Sequence, residues 1–431
     1  MAPNRIRATR RILLSAVAVA GFAVIAGLLD PAGVVRAQER ARPAERTADR
    51  KARILDRAPA RAIADPNPVF RAIAIDVDKG EVFVANDKES ADTSILVYNS
   101  QFAPTDRIME PKRRISGPKA DLGMVCGVAI STQHGELYSV QGESGAINAF
   151  ALDSNGNVEP LRQLDGVTPR STAGIYLDVK NDELVITTQH VNRVSVFPRM
   201  FSKDEEAKRF IQGPKTGLAD PHGVYVDAEM NEIYVTNHGN WRETQPGEGE
   251  RRGPESMTRT ALGYTEPGRV LPLGPSTGKF LPPSITIHGR MAAGDAAPIR
   301  TISGPRTGLN LPDGISRDPV SNELVVANTG DDSVLFFARD AGGDVAPTRI
   351  LRGPKTRLKG PVGTVVDPTH DELWVVSWDN HIAGVFPRDA KGDMAPKRVI
   401  RTAPDNAPMA SMGRIGAVAY DAKRDEILAP N

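Results

Sequence analysis

The sequence predicts an all-β fold, a closed ring of seven four-stranded antiparallel sheets, that is, a seven-bladed β-propeller. Three observations carry this. One strand–turn–strand pattern recurs seven times along the 431 residues, from 72–86 to 417–431. Further strands follow most copies, giving four short strands in a unit of about 48 residues, the period of a propeller blade. Turn-forming residues are abundant, with 39 Gly and 34 Pro, while 12 Phe, 7 Tyr and 3 Trp leave a mostly aliphatic core.

The repeated hairpin reads AIAIDVDKGEVFVAN at 72–86, GVYVDAEMNEIYVTN at 223–237 and GISRDPVSNELVVAN at 314–328. Apolar residues alternate on both sides of a polar turn, as half-buried antiparallel strands require. An Asp closes the first strand in six copies (Asp76, Asp178, Asp227, Asp318, Asp367 and Asp421), and Ser131 stands there in the other. Five residues on, a Glu opens the second strand every time: Glu81, Glu136, Glu183, Glu232, Glu323, Glu372 and Glu426. Third strands such as SVLFFARD at 333–340 and fourth strands such as PTRILRGP at 347–354 complete the unit. The last copy stops at Asn431 without them, so residues 52–55 are expected to join the seventh blade and close the ring. A six-bladed ring is the alternative. The recurring Gly-Pro-Lys-Thr-Gly-Leu at 213–218 lacks Walker spacing and recurs in other blades, so it reads as a turn between blades.

Around this ring the expected organisation is an export signal or N-terminal anchor at 1–37, a linker at 38–51 and one propeller domain at 52–431. Arg5, Arg7, Arg10 and Arg11 precede an apolar run at 12–29, and small residues follow at 35–37. A periplasmic or extracellular location follows, with the membrane touched only through 12–29 if that segment is retained. The balance of 54 Lys+Arg and 53 Asp+Glu argues against a nucleic-acid partner. The single cysteine excludes an intramolecular disulfide, a Cys-rich zinc site and an iron–sulfur cluster. A monomer is expected.

The pattern Pro312-x-Gly314-Ile315-x-x-Asp318, Glu323-Leu324-x-Val326-Ala327-Asn328 and Ser333-Val334-x-x-Phe337 resembles NHL and YVTN-type β-propeller repeats. The resemblance covers about residues 52–431 and implies a binding scaffold of this fold. Pro312-Asp313-Gly314 is also similar to the gluconolactonase / senescence-marker-protein family. That second resemblance implies a calcium-dependent lactonase-like hydrolase whose metal is held by Glu, Asn and Asp. Asn237, Asp313 and Asn328 match the Asn and Asp types, and no Glu falls beside them.

Function is sought where equivalent positions differ between blades. The residue before each first strand is Arg71, Cys126, Ala173, His222, Asp313, Val362 and Gly416, and all are expected to ring one mouth. Cys126 lies in an apolar run and reads as buried and inert. Loops from fourth to first and from second to third strands share that face. The expected binding set is therefore His222, Asn237, His238, Asp313, Asn328 and Trp378. Neither a catalytic residue nor a required cofactor is assigned, and the absence of HxH or HExxH spacing points away from a transition metal. Asp227 and Asp318 stand 91 residues apart, against 49 in the neighbouring blades, placing an insertion at about 240–282 on the same face. The expected function is an exported module that binds a protein or small-molecule ligand there. The alternative is the calcium-dependent hydrolase.

Overall fold

The computed structural model describes residues 69–86, 93–103, 108–142, 144–165, 168, 171–239, 281–403, 419–421 and 426–428. All belong to one unit, Asp65–Asn431. The expected export segment, linker and closing strand at 52–55 lie outside these residues, as does the insertion from 240 to 280. No helix among the described residues is long and apolar enough to cross a membrane.

Six four-stranded antiparallel sheets form, each a meander in sequence order. Blade 1 comprises β1 (Phe70–Asp76), β2 (Glu81–Asn86), β3 (Ser94–Asn99) and β4 (Arg113–Ser116). Blade 2 comprises β5 (Val125–Ser131), β6 (Glu136–Gln141), β7 (Ile147–Ala151) and β8 (Arg162–Leu164). Blade 3 comprises β9 (Thr172–Asp178), β10 (Glu183–Thr188), β11 (Arg193–Pro198) and β12 (Arg209–Ile211). Blade 4 comprises β13 (Pro221–Asp227), β14 (Glu232–Asn237), β15 (Ser284–Gly289) and β16 (Arg300–Ser303). Blade 5 comprises β17 (Pro312–Asp318), β18 (Glu323–Asn328), β19 (Ser333–Ala338) and β20 (Arg349–Leu351). Blade 6 comprises β21 (Pro361–Asp367), β22 (Glu372–Ser377), β23 (Ile382–Pro387) and β24 (Arg398–Arg401).

The ring closes at six blades, which corrects the expected seven. β21 lies against β1, as each other inner strand lies against the next. The gap between blades 6 and 1 is filled by Trp374, Val376 and Val385 packed with Phe70, Ile73, Val84 and Tyr98. Arg398 donates to the Ser100 carbonyl at 2.8 Å, and the Met109 N–H donates to the Arg401 carbonyl at 2.9 Å. Both flanking blades are complete, so closure here uses face packing and leaves no slot for a seventh. Among the described residues, the seventh repeat contributes β25 (Ala419–Asp421) and β26 (Glu426–Leu428), paired with each other in a two-stranded sheet.

The repeated residues have repeated tasks. The Asp ending the first strand in five of the six blades caps the hairpin turn; Asp227 and Asp318 each accept two backbone N–H groups through one carboxylate oxygen. The Glu opening the second strand pairs with an Arg on the fourth strand: Glu81 with Arg113, Glu136 with Arg162, Glu183 with Arg209, Glu232 with Arg300, Glu323 with Arg349, Glu372 with Arg398. These latches stitch strands 2 and 4 across strand 3 at the end of each blade opposite the bulges described below. The turn at 213–218 clasps the next unit: Lys215 N–H donates to Asp295 at 2.6 Å, and the same bond recurs from Arg306 to Asp344 and from Lys355 to Asp393. Gly213 there has φ 141°, and a Cβ would stand 2.4 Å from Asp295 Oδ1, so glycine is required.

Candidate functional site

A β-bulge lies near the start of every inner strand. The register against strand 2 slips at Phe70/Ala72, Val125/Gly127, Pro221/Val224, Pro312/Ile315 and Pro361/Gly363, and in blade 3 between Ile186 and Thr188. The extra residue leaves the ladder and is re-aimed. The residues freed in this way are Arg71, Cys126, Ala173, His222, Asp313 and Val362, the set whose variation the sequence displays.

A glycine follows five of the six. A Cβ on Gly174 would lie 2.4 Å from the His222 carbonyl oxygen, and one on Gly223 would lie 2.3 Å from that of Asp313. Glycine therefore lets the bulge of one blade approach the bulge of the next. Thr187 and Thr236 fix the carbonyls. Each hydroxyl accepts from the bulge glycine N–H of its own blade, Thr187 from Gly174 and Thr236 from Gly223, and donates to the next blade's bulge carbonyl, Thr187 to His222 and Thr236 to Asp313.

Charged groups converge at this mouth. His222 Nδ1 is 3.4 Å from Asp313 Oδ2, and its Nε2 is 3.7 Å from Asp220 Oδ2. His238, one residue beyond β14, stacks on His222 with ring centroids 3.3 Å apart, and its Nδ1 is 3.8 Å from the same Asp220 oxygen. Arg71, from blade 1, reaches to 3.7 Å from Asp313 and lies over the Trp378 ring at 4.5 Å. The Gln189 amide nitrogen is 3.0 Å from His222 Nε2, and His190 Nδ1 is 3.9 Å from Asp220 Oδ1. Blades 1, 3, 4, 5 and 6 thus contribute. His222 and Asp313 are almost fully buried, and Asp220 is the most open of the acids.

The electrostatics follow from this packing. Burial would make the His222 imidazole easier to deprotonate, but the Asp313 and Asp220 carboxylates outweigh burial and hold its pKa above the ordinary value. His238 has its pKa pushed down to about 3, by burial first and then by the stacked His222 cation. Burial would raise Asp313, but Arg71 and His222 bring it well below the usual carboxylate range. Asp220 is lowered in the same way, chiefly by His222 against its own burial. The stack therefore sets one imidazole whose pKa is raised by two carboxylates against one whose pKa is lowered.

Of the expected set, the structure brings together His222, His238 and Asp313, with Trp378 joined through Arg71. Trp378 is half-buried against the core between blades 6 and 1, with one ring face under Arg71. Asn237 and Asn328 do not join the cluster. The Asn237 amide oxygen accepts from Ala219 N–H, and its nitrogen donates to the Val235 carbonyl and Thr286 hydroxyl. Asn328 accepts from Asn310 N–H and donates to the Gly308 carbonyl and Ser333 hydroxyl. Both tie the incoming loop to its own blade, as Asn86 does with Val69 and Ser94. The calcium set Asn237, Asp313 and Asn328 thus has two members committed to the scaffold. Cys126 is buried, as its apolar run implied.

Sequence reasoning missed Asp220 and gave Arg71 no role. Asp220 has φ 52°, but Ser171, Leu311 and Gly360 before their own inner strands also have positive φ, so the conformation belongs to the fold. The usable signal was Asp220-Pro221-His222, which puts a carboxylate two residues before a bulge histidine. The two ends of the 240–280 segment meet beside the cluster, since a Cβ on Gly239 would lie 2.6 Å from the Leu281 carbonyl oxygen.

No known protein family and no curated protein matches the chain in sequence. Among solved structures it is similar to a chain of a nidogen/laminin complex, with 14% identity, a TM-score of 0.45, and coverage of 74% of this chain and 89% of that chain. The class of the protein, a β-propeller, rests on its own six sheets.

Proposed function

We infer that the protein is an exported propeller that captures a ligand at the bulge-lined mouth of its ring. One observation carries this reading. Arg71, Asp220, His222, His238 and Asp313 converge there from three blades, while the equivalent bulge positions in the other three hold Cys126, Ala173 and Val362. Burying charge costs free energy unless each group is paired, and here the pairing is assembled across blades. Such a cluster suits a polar ligand able to exchange with the internal ion pairs. Export is supported by the Arg-rich start and the apolar run at 12–29. The calcium-dependent hydrolase gains no comparable observation.

The test compares the wild-type chain with Arg71→Gln and Asp313→Asn in ligand capture from an envelope extract, read by mass spectrometry of small molecules and proteins. Loss of the same captured species in both variants, with melting retained, supports the mouth as the site. Equal capture by all three proteins overturns it.

A further inference from the structure

We propose that Asp220, His222 and His238 form a binding site for one divalent transition-metal ion of the zinc class. The inference deepens the ligand-binding reading and rests on it only for the location of the mouth. One donor atom from each residue lies within 4.8 Å of the other two. The closest approaches are His222 Nε2 to Asp220 Oδ2 at 3.7 Å and His238 Nδ1 to the same oxygen at 3.8 Å. Zinc bonds of about 2.0–2.1 Å set tetrahedral ligand atoms a little over 3 Å apart, and for both in-plane lone pairs to reach one ion at least one of the stacked rings must turn out of the 16° stack.

The donor set selects the metal. Two imidazole nitrogens and one carboxylate suit zinc, iron(II), cobalt or nickel, whereas calcium and magnesium take oxygen donors. Three protein ligands also leave a coordination position for an exchangeable ligand.

Three further observations point to an ion. Asp220 Oδ1 is buried and accepts no hydrogen bond, and His238 Nε2 is buried without a partner. The His222 ring presents Nδ1 to the buried Asp313 carboxylate at 3.4 Å, directing Nε2 towards Asp220. Carboxylates commonly orient metal-binding histidines in this way. Arg71 in turn balances Asp313. The Gln189 amide nitrogen, 3.0 Å from His222 Nε2, occupies the approach and must swing aside when the ion enters.

The test is metal binding by the purified full chain after chelator treatment and dialysis. Zinc is titrated against a chromophoric chelator, cobalt(II) is followed by its visible ligand-field bands, and melting is recorded throughout. The expected result is one zinc per chain, a raised melting temperature, and cobalt bands typical of nitrogen and oxygen ligands. His238→Ala and Asp220→Asn should each weaken zinc by at least about 100-fold, and Asp313→Asn by roughly 10- to 100-fold. His190→Ala should change it less than about threefold. Apo His238→Ala must melt like the apo wild type; if it does not, Asp220→Asn decides. Absence of stoichiometric zinc or cobalt in the wild type overturns the proposal, as does binding unchanged in both ligand variants. If zinc is absent while ligand capture still depends on Arg71, the metal inference fails alone. Zinc bound without any Arg71-dependent capture would instead retire the ligand reading and keep the metal.

Discussion

The two ends of the blades are both rich in buried charge, and they use it in opposite ways. At the latch end, one Glu–Arg pair repeats in all six blades, with closest approaches of 2.5–2.9 Å. At the mouth, the bulge positions differ in every blade, and the charges fall only in blades 1, 4 and 5. A pair that repeats with the blade serves the blade, because each copy meets the same strand neighbours. Of the charges that break the repeat, those of blades 4 and 5 meet between neighbouring blades, and Arg71 joins them only once the ring has closed. Repeated charge is therefore scaffold here, and unrepeated charge marks the site.

The largest effect should come from titrating the latches together. Arg113, helped by Lys112, holds the Glu81 carboxyl at about 2 against burial, and Glu136 reaches about 2 through Arg162, Tyr138 and Arg199 despite burial. A folded pKa below the unfolded one gives stability that is complete above about 4.5 and is lost as pH falls towards about 2. Each such group contributes up to about 3 kcal/mol. Chemical denaturation from pH 7 to pH 2.5 should show most of the loss below pH 4.5; a flat profile would show that the latches are not stabilising.

Breaking one latch comes next. Glu183→Ala leaves Arg209 and Arg290 without their shared carboxylate, and removing one partner of a buried pair costs about 3–5 kcal/mol. Ligand capture should survive. Gly223→Ala should cost about 1–3 kcal/mol by overpacking, since the new Cβ meets the Asp313 carbonyl. Unlike the latch variant, it should also disturb the mouth, read as lost capture. His238→Ala should alter apo stability by less than about 1 kcal/mol, because the ring is uncharged at neutral pH and leaves one nitrogen unpartnered. Replacing 242–280 by a short Gly-Ser linker should change stability least, since the chain returns beside Gly239. A loss above about 2 kcal/mol would assign the insertion to the scaffold.

Much of the blade was legible because its signals are local. Alternation gave the strands, the Asp and Glu columns gave the hairpin, and the Gly-Pro element gave the inter-blade turn. The blade count failed because seven hairpins were equated with seven blades, whereas β25 and β26 pair with each other in a two-stranded sheet and β21 packs against β1. The mouth was partly legible. His222 and Asp313 stood out by comparing equivalent positions, but Asp220 lies outside that column. Asn237 and Asn328 looked like ligands because carboxamides recur at strand exits; at Asn86, Asn237 and Asn328 the recurrence reflected a cap on the incoming loop.

The sequence by itself determined the strands, turns, bulges and latches, since each depends on neighbours within one repeat or the next. Only the tertiary structure decided the number of blades and the membership of the site. Closure depends on whether the sixth blade's Trp374 face finds Phe70 and Tyr98 across some 300 residues of chain. The site depends on that closure, because Arg71 meets Asp313 only when the first blade has come round to stand two places from the fifth.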